Sequence, residues 1–600
     1  MPDYKAPLRD MTFVREEMLG FPALWQRLPG CEEVTEDLVA AIYEAVGTFC
    51  EEELAPLWRV GDEEGCTWSE TGVQTPTGFK AAYDKFVAGG WPSLTGPVEF
   101  GGQGMPPSLE NVLNELVGSA NWAWSMYPFL TKGARLTIAS HGTEAQKNTY
   151  LEKMISGQWT GTMCLTEPHC GTDLGMLRTK AEPNADGTYN ITGTKIFISS
   201  GEHDMVENIA HIVLARLPDA PPGTKGISLF IVPKQLPDAN GVAGERNGVS
   251  CGSIEHKMGI HGNATAVLNF DEAQGTILGE PNRGLYAMFT FMNVARIGTA
   301  IQGVAHSELA KQGAIRYARD RLQSRSLSGP KNPDGPADAI IVHPDVRRML
   351  LTTKAFAEGG RMLIHYLAYE VDISTLSEDA AEQKAAEDML ALMTPIAKAF
   401  CTETGFESAS EGVQVFGGHG YIREWGMEQN LRDARIATLY EGTTGIQSLD
   451  LLGRKVLGTR GKLLEPFIDR IKGFCKENKR NKDISAFIKP LSEVASEWDK
   501  LTRSIGLRAL KNRDEVGAAS VDYMMLSGYV TLAYLWAMAA EVAGRKLAEG
   551  AGDESFYKAK IQTAAFYYAK ILPRTRGLLA TIEAGSESLM AMDEADFLIE

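Results

Sequence analysis

The stretch TYNITGTKIFIS, residues 188–199, decides how this chain is read. Its β-branched and aromatic residues, with the turn signal NADG at 184–187 just ahead, suit an extended strand rather than a helix. Working outward, TMCLT (162–166), IAHIVLAR (209–216), GISLFIVP (226–233) and TAVLNF (265–270) share that character, with turn signals such as PDAPPG (218–223) between them. Residues 161–280 are therefore expected to form a β domain. Its strands should be antiparallel, because no helix-length crossover lies between them.

On both sides the period turns helical. Leu38, Ala41, Ile42, Ala45 and Phe49 recur at one-face spacing, as do Leu109, Val112, Leu113, Leu116 and Val117. Thr143 and Gln146 are spaced as a capping box opening a helix to about residue 156. After EPNRG (280–284) the helical period resumes to about residue 457, interrupted by the Pro/Gly-rich SRSLSGPKNPDGPAD (324–338). KENKRNKD (476–483) is a polar joint into a last helical block. The expected architecture is mostly α with a central antiparallel β domain. It comprises a helical domain at 1–160 whose first 34 residues form an arm, the β domain at 161–280, a helical bundle at 281–460 and a further helical domain at 461–600. Six hundred residues exceed what one core holds, so three or four packed units are expected.

Composition excludes several function classes. With 59 Lys and Arg against 77 Asp and Glu the net charge is −18, which repels nucleic acid and anionic lipid. The eight cysteines are scattered without a CxxC pair, and MPDYKAPLRDMTFV has no signal-peptide pattern, so a reduced, cytoplasmic protein is expected. No HExxH and no zinc-like His/Cys spacing occurs, so no metal is expected. The uncharged run between Asp522 and Glu541 reads as a buried helix rather than a membrane span, because it lacks a flanking basic cluster and carries Ser527, Gly528 and Thr531.

Chemistry is concentrated in a few places. MCLTEPHCGTD (163–173) leaves a β run through a hydroxyl, a carboxylate and Gly171-Thr172, whose backbone N–H groups suit a phosphate. KIFISSGEHD (195–204) sets Phe197 beside Ser199, suited to the face and edge of a flat heterocycle, and equally to sheet packing. GGQG (101–104) and GGHG (417–420) lack the third glycine and βαβ context of a dinucleotide fingerprint. QVFGGHGY (414–421) reads as a helix stop with glycine in left-handed geometry. Gly248-Val-Ser250-Cys-Gly252 matches a hydrolase elbow literally but lacks the flanking strand and helix, so that reading is set aside. In RIATLYEGTTGIQSLDLLG (435–453), Glu441 follows the apolar Ile436, Leu439 and Tyr440 and precedes a Gly-Thr-Thr-Gly break. Thr444 and Gln447 are spaced as a capping box, with Ile446, Leu449, Leu452 and Val456 on the next helix face. A helix dipole favours a carboxylate there by about 0.3–1 kcal/mol. If an apolar ligand seals the pocket, desolvation acts more strongly and makes Glu441 a general base; the residues alone leave both readings open.

MCLTEPHCGTD, KIFISSGE, HKMGIHGNATA (256–266), QVFGGHGY and LYEGTTGIQ, in that order, resemble the acyl-CoA dehydrogenases over residues 38–460. The C-terminal block and YARDRLQSRSLSGP (317–330) resemble the long bacterial form that acts on 3-(methylthio)propanoyl-CoA (3-methylmercaptopropionyl-CoA) in dimethylsulfoniopropionate breakdown. The resemblance implies FAD as cofactor, α,β-dehydrogenation of an acyl-CoA to a trans-2-enoyl-CoA, and an electron-transferring flavoprotein as acceptor. It implies that Met163, Leu165, Thr166, Gly171, Thr172, Phe197, Ser199 and Thr443 meet FAD, and that Arg321, Gln414 and Gly418 reach the ADP half of a neighbouring subunit's FAD. Arg296, Tyr440 and Gly442 would meet substrate, and Glu441 would be the catalytic base. Some members carry the base at the position of Ala295, and alanine cannot abstract a proton. The chain departs from the family's pattern at Phe197 (often Trp), at Arg321-Leu-Gln-Ser324-Arg325 (often Arg-x-x-Phe-Gly), at Gly445 (often Gln) and at Asn293 (often Asp). The extra helical domain implies a homodimer rather than a tetramer. An oxidase of the same fold, or a non-catalytic binding protein on it, are the competing readings.

Overall fold

The β region is a seven-stranded sheet of β1 (Trp159–Cys164), β2 (Lys180–Pro183), β3 (Tyr189–Ser199), β4 (Asn208–Ala215), β5 (Ser228–Pro233), β6 (Val249–Ile254) and β7 (Thr265–Ile277). Their order is β1-β4-β5-β7-β3-β2, with β6 also paired to β7. The computed structural model describes residues 4–238 and 241–598. β4 and β5 are buried at every position, which is why they read as unbroken apolar runs rather than alternating ones.

One expectation about the sheet is corrected. β1 runs parallel to β4, from Trp159 opposite Asn208 to Cys164 opposite Val213, so the sheet is mixed. A parallel return needs a crossover of a dozen or more residues, but not a helix. Here the crossover is the segment 165–207, which contains β2 and β3 and forms its own antiparallel pair. β2 and β6 escaped the sequence reading because both are short and polar. The Gly248–Gly252 motif lies on β6, whose Ser250 pairs across to Asn269, so it is a hairpin strand and not a nucleophile elbow.

The chain falls into two compact units, residues 40–298 and residues 1–39 with 299–600. In the first, α1 (Glu36–Phe49) from residue 40 onward, α2 (Pro107–Ala120), α3 (Trp122–His141) and α4 (Glu144–Ile155) precede the sheet. Ala134, Ile138, Leu151, Met154, Ile212, Leu229 and Phe291 share one core, and Ile191, Val213, Phe230 and Leu268 another. The capping box opens α4: Gln146 N–H donates to Thr143 Oγ1 at 3.3 Å, and Thr143 N–H to Gln146 Oε1 at 2.9 Å. Gln146 Nε2 also donates to Thr276 Oγ1 and to the Ile277 carbonyl, tying α4 to the sheet.

In the second unit the elements after α5 (Gly284–Asp320) are α6 (Pro344–Leu376), α7 (Ala380–Phe416), α8 (Met427–Arg435), α9 (Thr444–Leu449), α10 (Glu465–Glu477), α11 (Ser485–Ala509), α12 (Asp514–Ala548), α13 (Glu554–Phe566) and α14 (Thr575–Glu583). The division between units falls inside α5. α12 carries the long uncharged run. By length and composition it could cross a membrane, but 83% of its most apolar window is buried. Gly528 lets it approach Phe400 of α7, since a Cβ there would lie 2.1 Å from the ring, and Gly359 of α6 similarly meets Leu532 and Trp536. The arm docks on the same unit: Trp25 Nε1 donates to Asp372 Oδ2 at 3.0 Å, and buried Asp10 pairs with Arg361 and Lys560.

Candidate functional site

The first group of candidate residues sits where β1 and β3 end. Met163, Leu165, Thr166 and Ser199 are half-buried, and Gly171 and Thr172 are exposed. The Thr166 carbonyl accepts from Ile196 N–H at 2.9 Å, which lays the exit of β1 against the end of β3. A Cβ on Gly171 would stand 3.3 Å from Thr166 Cγ2, so the loop folds back on Thr166. Phe197 has φ +58° and is 58% exposed, an aromatic ring held on the surface by backbone that a bulky residue rarely adopts.

Two residues that sequence reading passed over hold this loop. Glu167 accepts from Arg178 N–H (2.7 Å), Thr179 N–H (3.0 Å), Thr179 Oγ1 (2.6 Å) and Lys195 Nζ (2.8 Å). Lys195 also donates to the Leu165 carbonyl at 3.0 Å. Burial pushes the Glu167 carboxyl up, but the Lys195 ammonium and the hydrogen bonds outweigh it and bring it down to about 2. Burial also pulls Lys195 below the usual lysine range, against the attraction of Glu167. A buried Lys at an alternating strand position and a Glu directly after Thr166 were the available signal. Glu167, His169 and Cys170 bring three metal-ligand atom types within 4.8 Å, yet both Glu167 oxygens already accept hydrogen bonds.

The second group lies in the other unit, where α5 ends and α7 stops. Tyr317 stacks on Phe416 with ring centroids 4.1 Å apart, and its hydroxyl lies 3.0 Å from His419 Nδ1. That packs the end of α5, just ahead of exposed Arg321, against the stop of α7, where Gln414 and Gly418 are exposed. Gly417 ends the helix as expected, with φ +58° and ψ −134°, a positive-φ conformation open to glycine but not the αL cap. The Pro/Gly loop after Arg321 folds around buried Asp338, which accepts from Ser326, Lys331 and Asn332 N–H groups at 2.7–2.9 Å.

The third group is the turn before α9. Glu441 is half-buried with φ +56°, and Gly442 follows at φ +88°. Two successive left-handed residues reverse the chain in front of the helix. The Glu441 carbonyl accepts from Gln447 Nε2 at 3.1 Å and the Gly442 carbonyl from Lys398 Nζ at 2.6 Å. Tyr440 donates its hydroxyl to Gln302 Oε1. The expected capping box at Thr444 is corrected. Thr443 is the N-cap, accepting from Ile446 N–H at 3.2 Å, and Thr444 instead donates to the Glu403 carboxylate. The left-handed pair starts the helix one residue early, which turns Gln447 toward the Glu441 carbonyl. Arg296 is buried on the part of α5 that belongs to the first unit.

Comparison with known proteins covers almost the whole chain. The description "Acyl-CoA dehydrogenase, N-terminal domain" matches residues 37–158, "Acyl-CoA dehydrogenase, middle domain" 162–273, "Acyl-CoA dehydrogenase, C-terminal domain" 282–457 and "Acetyl-CoA dehydrogenase C-terminal like" 467–593. The chain is 41% identical over 597 residues to 3-methylmercaptopropionyl-CoA dehydrogenase of Ruegeria pomeroyi, covering 99% of each. It is 34% identical to the broad-specificity linear acyl-CoA dehydrogenase FadE5 of Mycobacterium tuberculosis, covering 100% of each. Its fold is like that of Caenorhabditis elegans ACDH-11 in complex with C11-CoA, at TM-score 0.77 and 20% identity over 98% of this chain and 95% of that one.

Proposed function

The chain belongs to the acyl-CoA dehydrogenase family, an FAD-dependent family that dehydrogenates acyl-CoA thioesters, and from that premise we propose that Glu441 is its base and 3-methylmercaptopropionyl-CoA its substrate. The observation that carries the base assignment is the positive-φ Glu441, whose own carbonyl and that of Gly442 are both held from inside the protein. Such backbone costs about 1–3 kcal/mol and persists where the surroundings enforce it.

The residues at the ends of β1 and β3 fit a flavin. Phe197 offers an exposed ring, Thr166 and Ser199 offer hydroxyls on a rigid sheet, and Gly171 leaves bare backbone beside Thr166. We infer that these residues, with Met163, Leu165, Thr172 and Thr443, hold FAD, and that Arg321, Gln414 and Gly418 hold the ADP half of a neighbouring subunit's FAD. FAD, when bound, supplies the two-electron oxidant for the hydride leaving the β-carbon.

The chain's own work is on the proton. The Glu441 carboxylate takes a proton from the carbon α to the thioester. Charge then develops on the thioester carbonyl oxygen, and the Glu441 backbone N–H donates to it. Holding the carboxylate and the donor on one residue fixes their separation, so the substrate is oriented against both at once. Arg296, Tyr440 and Gly442 contact the acyl-CoA.

The substrate assignment is supported by full-length identity to the Ruegeria enzyme, and FadE5 supports a wider range of linear chains. A panel of acyl-CoA thioesters with purified flavin-loaded protein tests it. The highest kcat/KM should fall on 3-(methylthio)propanoyl-CoA, and a clear preference for a long-chain thioester would overturn the assignment. An electron-transferring flavoprotein is the acceptor of the family. We infer a homodimer in the cytoplasm, in keeping with eight free thiols. Light scattering should return twice the 65.3 kDa chain mass.

A further inference from the structure

Lys398 and Gln447 are both fully buried, and no step of the reaction uses either side chain. Lys398 stands in LALMTPIAKAFC (390–401) as the only charged residue of an otherwise apolar stretch of α7. An ammonium is costly to bury unless its protons meet acceptors. One acceptor is the Gly442 carbonyl at 2.6 Å, a charge-assisted bond to the residue that follows the base. Gln447, on α9, donates to the Glu441 carbonyl at 3.1 Å. Its Oε1 is buried and meets no donor among the described residues, so the amide is committed to that carbonyl through its nitrogen. The fit is tight: a Cβ on Gly442 would lie 2.4 Å from Gln447 Nε2.

Two helices therefore grip two consecutive carbonyls. Fixing a carbonyl fixes its whole peptide plane. These planes lie on either side of Gly442, so Gly442 cannot leave its positive φ without breaking a bond to a buried donor. The Glu441 Cα lies in the first of these planes, so the clamp fixes the point from which its side chain starts.

We propose that Lys398 and Gln447 are positioning residues for Glu441, a two-point clamp that holds the left-handed turn in its working geometry. The proposal rests on Glu441 being the base. It predicts that loosening the clamp slows proton abstraction while leaving flavin and substrate binding in place.

The test uses the flavin-loaded enzyme and its Lys398→Met and Gln447→Met variants. The substrate is 3-(methylthio)propanoyl-CoA or butanoyl-CoA, whichever turns over faster, with and without deuterium at C2. Misplacing a catalytic group by about 1 Å costs about a hundredfold, so kcat should fall about a hundredfold in Lys398→Met and about tenfold in Gln447→Met, with KM within about threefold. The C2 isotope effect should rise in both, because proton abstraction becomes more limiting. FAD content and the thermal midpoint should stay near those of the parent. Folded, flavin-loaded variants with kcat within about threefold of the parent would overturn the proposal. So would a loss that tracks missing flavin with an unchanged isotope effect. If Lys398→Met does not fold, Gln447→Met decides. Glu441→Gln is run alongside: if it stays active, the base assignment fails, whereas an inactive Glu441→Gln beside two fully active clamp variants removes the clamp alone.

Discussion

Glu167 and Glu441 are both carboxylates in turns that follow an apolar approach, and they are held by different atoms. Glu167 is 3% exposed, its own oxygens accept four hydrogen bonds, and its carboxyl sits at about 2. At Glu441 it is the main chain that is gripped, by Gln447 and Lys398, while the side chain is half-buried on left-handed backbone. The difference separates two jobs. A carboxylate whose oxygens are bonded on all sides ties a loop together. One whose turn is held through the main chain serves, on the proposed mechanism, as a base.

Substitution at each position should split function from stability. Glu441→Gln should lower kcat by about 10³–10⁴-fold, the upper part of what a general base contributes, with flavin bound and the unfolding midpoint unchanged. Lys195→Met should do the reverse. It leaves Glu167 buried without its counter-ion, a loss of about 3–5 kcal/mol in urea unfolding, with weakened retention of FAD. The double variant Glu167→Gln/Lys195→Met should recover much of that loss, since the two residues act as a pair. If the losses simply add, the pair is not the tie described here.

The pH dependence sharpens the contrast further. The Glu167 carboxyl is depressed from 4.5 to about 2, so its stabilising contribution is complete above pH 4.5 and is lost as pH falls toward 2. The stability difference between the parent and Glu167→Gln should be flat above pH 5 and shrink below about pH 4.5, read from unfolding at stepped pH. The smallest expected effect lies beside the base. Thr443→Ala should cost about 1 kcal/mol, as the loss of an N-cap does, and Thr444→Ala should not reproduce it.

Much of this was legible in the sequence because it is written in local patterns. The strand runs, the helices at 36–49 and 107–120, the capping box at Thr143 and the Gly417 stop depend on residues within a turn or two of each other. The parallel β1–β4 pair was not legible, because register between strands separated by the whole segment 165–207 is set by packing and leaves no local mark. The cap at Thr443 was missed for a related reason. Spacing marks Thr444 equally well, and only the left-handed backbone at Glu441 and Gly442 selects its neighbour. Lys195 and Lys398 show as isolated charges among apolar residues, but the partners that explain them lie 28 and 44 residues away.

The central claim is that the Glu441 carboxylate removes the α-proton of an acyl-CoA. Anaerobic rapid mixing of flavin-loaded Glu441→Gln with one equivalent of 3-(methylthio)propanoyl-CoA tests it in a single turnover. The flavin should stay oxidised over the time in which the parent enzyme is fully reduced. Reduction of the variant at the parent's rate would contradict it.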